Sequence, residues 1–452
     1  AHILELGNRL PIRSEQGHGM AARTEDTRGV DHQPLGATHP ESGAHEGDPK
    51  SHERQYDKPP PGLEPATLRR RAMRILFVQP SLRPPGGGNG VAAWMIQALR
   101  GVHDVTVLTW DAVPLEEINR HFGTGLRSDD ARFVRPHPWL ADALRHLPTP
   151  VDLLKTALLM RAGRVRARAY DLAISGNNEA DLGDRALQYV HYPRYQRPRP
   201  NADVRWFHAP LVLKAYYRLS DAASGISFER MRANRTLVNS DWTGRLVKSL
   251  HGIDTTTLHP PISAPDATDW NRRESAFLCL GRISPEKEIE KVIAILDRVR
   301  SRGHGVTLTI AGGRGPARHM ETIDALVRAR GPWARLKVDV DRAEWNRLIS
   351  TSRYGIHGMT EEHFGMAPAE MVAAGCLVFM PGTGGQQEIL DGNPMLLYTS
   401  ADDAVEKIDA MLKSSELQDS TRAAIAARGA SLGVEAFSAR FRAIVDEIGP
   451  RS

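Results

Sequence analysis

The sequence predicts an α/β protein of two doubly wound, Rossmann-like domains that face each other across a cleft. Three observations predict it. The chain of 452 residues exceeds the usual size of one hydrophobic core. Apolar runs of strand length alternate with helical segments through most of it. The alternation breaks near residues 251–262, where His259-Pro260-Pro261 interrupts both periods and the charge balance changes. Residues 73–250 carry 25 Lys/Arg against 16 Asp/Glu, whereas residues 251–452 carry 24 against 27.

Residues 1–72 are polar, rich in Pro, Gly, His and charge, and lack a periodic apolar pattern. Such a stretch buries too little surface to offset its ordering entropy and reads as a disordered tail. The first domain, 73–255, opens on Arg74-Ile-Leu-Phe-Val-Gln79, the unbroken apolar run of a strand buried on both faces. A glycine-rich loop follows, with a helix beginning near Val91. Strand 104–109, helices near 115–122 and 151–168, strands 171–175 and 186–191, helix 208–219, strand 235–239 and helix 241–250 continue the pattern. The second domain, 256–432, repeats it with strand 276–281, helix 286–301, strand 306–311, helix 317–330, strand 335–340 and helix 343–352. Strand 354–358, helix 367–375, strand 377–381 and helices near 401–413 and 419–430 complete it. Residues 433–452 read as a C-terminal helix crossing back to the first domain. Parallel strands need long crossover connections, which helices of this length supply. Ligands of such sheets bind beyond the carboxyl ends of the strands, so function is expected in the strand-to-helix loops.

Composition narrows the class. No stretch approaches the roughly 18 consecutive apolar residues that span a bilayer, and the start does not resemble a secretory signal, so the cytoplasm is the expected location. Cys279 and Cys376 lie in apolar runs and read as core fillers. A sequence pI of about 9.2 invites a nucleic-acid reading, but no zinc knuckle, helix-turn-helix or aromatic-basic ribonucleoprotein motif is present. The basic first half suits an anionic partner, a phospholipid surface or a phosphorylated acceptor, or is simply a solvated arginine-rich face. Helix 151–168 joins an apolar stripe (Leu153, Leu154, Leu158, Leu159) to a basic end (Arg161, Arg164, Arg166, Arg168). It either packs on the sheet or lies on an anionic membrane, which leaves a peripheral contact at the inner membrane face open.

Three loops carry chemistry. Pro84-Pro-Gly-Gly-Gly-Asn-Gly90 joins the first strand to its helix, and Gly87, Gly88 and Gly90 let backbone approach a ligand beside a helix start that favours an anion. It is not the dinucleotide fingerprint, since Ala92 and Ala93 break the spacing, nor a P-loop, since no Gly-Lys-Ser/Thr follows. A tight turn is the alternative. Leu280-Gly281-Arg282-Ile-Ser-Pro-Glu286-Lys287 sets Arg282 and Lys287 at a helix entrance, where fixed cations suit an incoming diphosphate better than they suit the helix. The alternative is an exposed Arg and a Lys paired with Glu286 or Glu290. Glu362-His-Phe-Gly-Met-Ala-Pro-Ala-Glu370 leads from a strand into a helix with Pro368 in its first turn. The amides of Phe364, Gly365 and Met366 and the Glu362 carboxylate are there for sugar hydroxyls, and Glu370 for a ribose diol; a dipole-stabilising role for Glu370 stays open.

Two glutamates seven residues apart with Phe364-Gly365 between them, and Gly384-Gly385-Gln386-Gln387-Glu388 downstream, resemble the donor site of retaining glycosyltransferase family 4, of GT-B fold. The resemblance covers residues 73 to about 448. It is closest in motif pattern to the α-1,2-mannosyltransferases that extend lipid-linked oligosaccharides from GDP-mannose, through Gly86-Gly-Gly-Asn-Gly90, Tyr189-Val-His-Tyr-Pro193, Val238-Asn-Ser-Asp-Trp-Thr243, His259-Pro-Pro261 and Gly355-Ile-His-Gly-Met359. The sequence departs from that pattern at Gln386, where the family carries proline.

The resemblance implies a metal-independent, retaining transfer of a mannose- or glucose-type hexose from a GDP- or UDP-linked donor to a hydroxyl of a glycan, lipid-linked or small-molecule acceptor. His191 then corresponds to the family's cleft histidine near the donor sugar, Arg282 and Lys287 take the leaving diphosphate, and Glu362 and Glu370 position the donor. His357 and His363 lack the paired spacing of a metal site. No cofactor beyond the donor is expected. A nucleotide-sugar epimerase or a phosphorylase of the same architecture is the competing enzyme class.

Overall fold

The computed structural model describes residues 72–84, 86–136, 152–194 and 210–451, so the disordered-tail reading of residues 1–72 lies, but for Ala72, outside the described residues. The first parallel sheet has seven strands in the order β3-β2-β1-β4-β5-β6-β7. These are β1 (Arg74–Val78), β2 (Asp104–Leu108), β3 (Arg132–Val134), β4 (Leu172–Ser175), β5 (Ala186–Val190), β6 (Arg235–Val238) and β7 (Thr256–Thr257). The second has six, in the order β10-β9-β8-β11-β12-β13, comprising β8 (Glu274–Leu280), β9 (Thr307–Gly312), β10 (Ala334–Val338), β11 (Ser352–Ile356), β12 (Leu377–Pro381) and β13 (Leu397–Tyr398). Both are doubly wound: β1 lies between β2 and β4, and β8 between β9 and β11. The GT-B architecture of two Rossmann-like domains is thus built as the alternation of runs requires.

The central strands are apolar because helices cover both faces. Ile75 to Val78 and all five residues of β12 are buried. Around the first sheet run α1 (Gly87–Leu99), α2 (Leu115–Phe122), α3 (Asp152–Ala167), α4 (Pro210–Ser224), α5 (Phe228–Ala233) and α6 (Asp241–His251). Around the second run α7 (Ile289–Ser301), α8 (Ala317–Arg330), α9 (Arg342–Thr351), α10 (Met366–Ala373), α11 (Ala401–Lys413) and α12 (Ser415–Ser431). Side-chain caps start several of them: Ser240 accepts from the Thr243 amide at α6, and Asp341 from Glu344 at α9.

Two details differ from the sequence reading, and a third decides between its alternatives. α1 begins at Gly87, not Val91, so the loop's glycines form the helix's first turn; Asn89 Nδ2 donates to Arg83 O at 2.7 Å and ties that turn to the loop. Thr256 and Thr257 form the seventh strand of the first sheet, which ends past the boundary at residue 255. The apolar stripe of α3 turns inward: Leu159 is fully buried and Leu158 packs on the cluster of Leu76, Val78 and Leu108.

The last helix, α13 (Val434–Ile448), leaves the second sheet and packs on α1, placing Phe437, Phe441, Ile444 and Val445 in the same cluster as Ile75, Phe77 and Val107. Arg442 Nε donates to the Ala98 carbonyl and fixes its register there.

Candidate functional site

Doubly wound sheets open a crevice where strand order reverses, between the loops after the two central strands. In the first sheet these loops follow β1 and β4, and in the second they follow β8 and β11. The Gly-rich turn, Arg282 to Lys287, and Glu362 all come from such loops, and His191 directly follows β5.

The glycines of the first loop face side chains from elsewhere. A Cβ on Gly87 would stand 2.7 Å from the Met366 sulfur, one on Gly88 3.1 Å from His191 Nε2, and one on Gly90 2.8 Å from the Phe122 ring. Met366 begins α10 of the second domain, so at Gly87 the two domains' ligand loops touch. His191 Nε2 lies 3.1 Å from the Gly176 carbonyl. A carbonyl only accepts, so Nε2 carries the proton in that contact. Burial holds the imidazole neutral, its pKa pushed down to about 4. Its backbone amide donates to Asn178 Oδ1 at 2.8 Å.

On the other wall, Lys287 lies in a short 3-10 turn (Pro285–Lys287) before α7, and its Nζ is paired with Glu362 Oε2. His357 Nε2 is 3.2 Å from the same oxygen. Burial raises the Glu362 pKa, but the adjacent Lys287 ammonium and the His357 hydrogen bond outweigh it and hold the carboxyl well below its usual range. Glu362 is therefore an anion at neutral pH. Arg282 is exposed at 68%, with its guanidinium 3.7 Å from Glu286, outside the Lys287–Glu362 pair. Gly281 lies against the Lys287 stem, 3.9 Å from where its Cβ would stand.

Glu370, in α10, behaves oppositely. Burial pushes its pKa up, opposed by Arg342, whose Nη1 is 3.1 Å away, and by the Trp345 indole N–H. The helix carrying it is preceded by Gly365 at its N-cap, whose φ of 97° is a left-handed conformation that glycine adopts without strain. That residue and Met366 lie in a first turn, where amides have no intrahelical acceptor. Phe364 is buried and tilts against His259.

A second set of residues closes the interface beside the crevice. Tyr192 stacks on His363 with ring centroids 4.1 Å apart, and Trp242 lies parallel to the same imidazole at 6.0 Å. Ser240 Oγ donates to the His363 carbonyl at 2.7 Å. Glu388 accepts from the Asp241 and Trp242 amides at 2.9 and 3.0 Å and lies 3.1 Å from His259 Nε2, so a carboxylate of the second domain caps a helix of the first. Sequence reasoning noted Glu388 and His259 as motif members and gave them no partner. Arg342 and Trp345, which hold Glu370, carried no motif signal. Among the described residues no group of three or more His, Cys, Asp or Glu side chains is arranged to hold a metal ion.

Comparison with known proteins agrees with this fold. Residues 264–428 match the model of a family described as glycosyl transferases group 1. The chain is 25% identical over 234 residues to the mouse GDP-Man:Man(3)GlcNAc(2)-PP-Dol alpha-1,2-mannosyltransferase, covering 45% of this chain and 47% of the relative. Against the Caenorhabditis elegans enzyme of the same name it is 22% identical over 378 residues, covering 70% and 78%. The chain thus spans about half the length of the mouse relative. Among solved structures, sucrose-phosphate synthase from Thermosynechococcus elongatus superposes with a TM-score of 0.61 at 16% identity, covering 83% of this chain and 99% of that one. Anabaena HepE in complex with UDP and glucose gives 0.56 at 14%, covering 82% and 99%. The match to the glycosyl transferases group 1 family thus lies in the second domain, residues 264–428, of a chain with the two-domain GT-B fold.

Proposed function

We propose that this protein is a retaining, metal-independent hexosyltransferase that moves a mannose- or glucose-type sugar from a GDP- or UDP-linked donor to a hydroxyl of a glycan, lipid-linked or small-molecule acceptor. One observation carries it: Glu362, Lys287 and His357 form a linked charge group at the carboxyl ends of β8 and β11, with the glycine turn of the other domain touching Met366 nearby. The similarity to alpha-1,2-mannosyltransferases that use GDP-Man supports a GDP-mannose-type donor and a lipid-linked acceptor.

Glu362 is too acidic to donate a proton, and its carboxylate is occupied by Lys287, so an acid/base pair of carboxylates is not the working device. Front-face displacement needs no such pair. The diphosphate leaves on the side where the acceptor hydroxyl enters, and a phosphate oxygen takes the acceptor proton. Charge building on that phosphate is met by Lys287, by Arg282 and by the first-turn amides of α1. Glu362 keeps Lys287 in place and accepts from sugar hydroxyls. Glu370 holds the ribose diol, exchanging part of its bonding to Arg342 and Trp345. His191 offers a neutral imidazole near the anomeric centre.

Lys287→Ala is expected to lower kcat by about 10²–10³ while the donor KM moves only a few-fold, because the charge it meets exists chiefly in the transition state. Steady-state kinetics, run with and without a chelator, and NMR of the product anomer check this. An inverted anomer, loss of activity in chelator, or unchanged kcat in Lys287→Ala overturns the reading.

A further inference from the structure

At the opposite end of the first sheet from the crevice lies a cavity of about 310 Å³ whose polar wall is made of arginines: Arg164, Arg168, Arg185, Arg230 and Arg451. They come from the end of α3, the segment before β5, α5 and the stretch after α13. Residues 168 and 185 precede β4 and β5, whereas His191 follows β5, so the cavity and the crevice lie a strand apart, roughly 13–17 Å at the usual rise per residue.

The charge in this cavity is not balanced. Arg164 and Arg230 share one carboxylate, the buried Asp181, at 2.9 and 2.7 Å. Asp184 at the rim is exposed and faces Arg230. Among the described residues the other three guanidiniums have no ion-pair partner. Arg451 donates to the Arg168 carbonyl at 3.1 Å, and Arg185 donates through one nitrogen to the Ile448 and Gly449 carbonyls at 3.2 and 2.7 Å. The Arg185 Nε–H is buried and has no acceptor. A buried donor left unpaired is costly, and five guanidiniums converge on one space. Guanidinium forks fit phosphate oxygens in pairs, which makes a phosphoanion the ligand that answers the surplus charge.

We infer that this arginine-lined cavity is a second anion site, separate from the donor crevice, that takes a diphosphate or a terminal phosphate group. The ligand bridges α3 and the segment before β5 to residues 449–451, and so fastens the chain that follows α13 onto the first domain. A free diphosphate and a phospholipid headgroup present the same chemistry.

The test uses the full chain and inorganic pyrophosphate as probe, read by calorimetry and by hydrogen exchange of residues 182–185. Wild type and Lys287→Ala are expected to bind it and to protect those amides. Arg168→Ala/Arg451→Ala, two exposed positions, is expected to weaken binding roughly tenfold or more and to leave donor binding unchanged. Vesicles of phosphatidylcholine with phosphatidic acid separate the sources: flotation of wild type that is lost in the double variant and competed by pyrophosphate assigns the site to a headgroup, and no flotation assigns it to a free anion. Pyrophosphate binding that disappears in Lys287→Ala, or that is unchanged in the double variant, overturns the proposal. Neither result depends on transferase activity.

Discussion

His191 shows how a titratable group can be held out of titration. Its Nε2–H is engaged by the Gly176 carbonyl and its ring abuts Gly88, so a proton on Nδ1 would be poorly solvated. The folded pKa near 4 lies below the ordinary value of 6.5. For such a group the unfolded chain binds the extra proton first, so its contribution to stability is whole above about pH 6.5 and is lost as pH falls toward 4. The term is at most about 3 kcal/mol. Melting temperatures recorded from pH 7 to pH 4 should fall along this limb, and His191→Gln should show a shallower fall; equal slopes would refute the assignment. By the same argument turnover between pH 6 and 8 should show no inflection that His191→Gln removes. At this scale the sequence named the groups but not their pairings. Lys287 and Glu362 stood out by position in strand-to-helix loops, yet 75 residues separate them, and only the adjacency of β8 and β11 brings them together. His357 gave no reason to expect a carboxylate partner, and the hold of Arg342 on Glu370 was invisible because α9 carries no local signal of it.

The short elements escaped sequence reading for a simple reason: two- and three-residue strands such as β3, β7 and β13 are too brief to show a period. The long ones were legible, because a strand buried on both faces must be apolar throughout and its crossover helix must follow. The start of α1 was misplaced since glycine is a poor helix former, and tertiary contacts at Gly87, Gly88 and Gly90 override that weakness. α6 depends on another domain for its beginning. Ser240 satisfies one first-turn amide, and Glu388 satisfies two more. Glu388→Ala should therefore cost about 1–2 kcal/mol in chemical unfolding and speed hydrogen exchange at Asp241 and Trp242, whereas Glu388→Gln should retain part of the protection. Unaltered exchange at those two amides would show that the cap contributes nothing.

Beyond residue 72 the charge is divided between the two domains, with 25 Lys/Arg against 16 Asp/Glu in residues 73–250 and 24 against 27 in residues 251–452. If the first domain receives an acceptor bearing phosphate, raising salt from about 50 to 200 mM should increase the acceptor KM several-fold more than the donor KM. Equal sensitivity of the two constants would remove charge as the basis of acceptor capture. The path of the chain has an effect on how the molecule is made. α1 ends at Leu99 and its partner α13 begins at Val434, so at synthesis rates of 5–20 residues per second roughly 15–70 s pass before the ribosome delivers Phe441, Ile444 and Val445. Throughout that interval the nascent first domain carries an uncovered apolar groove, and the half of the protein that is translated first is the half that is finished last.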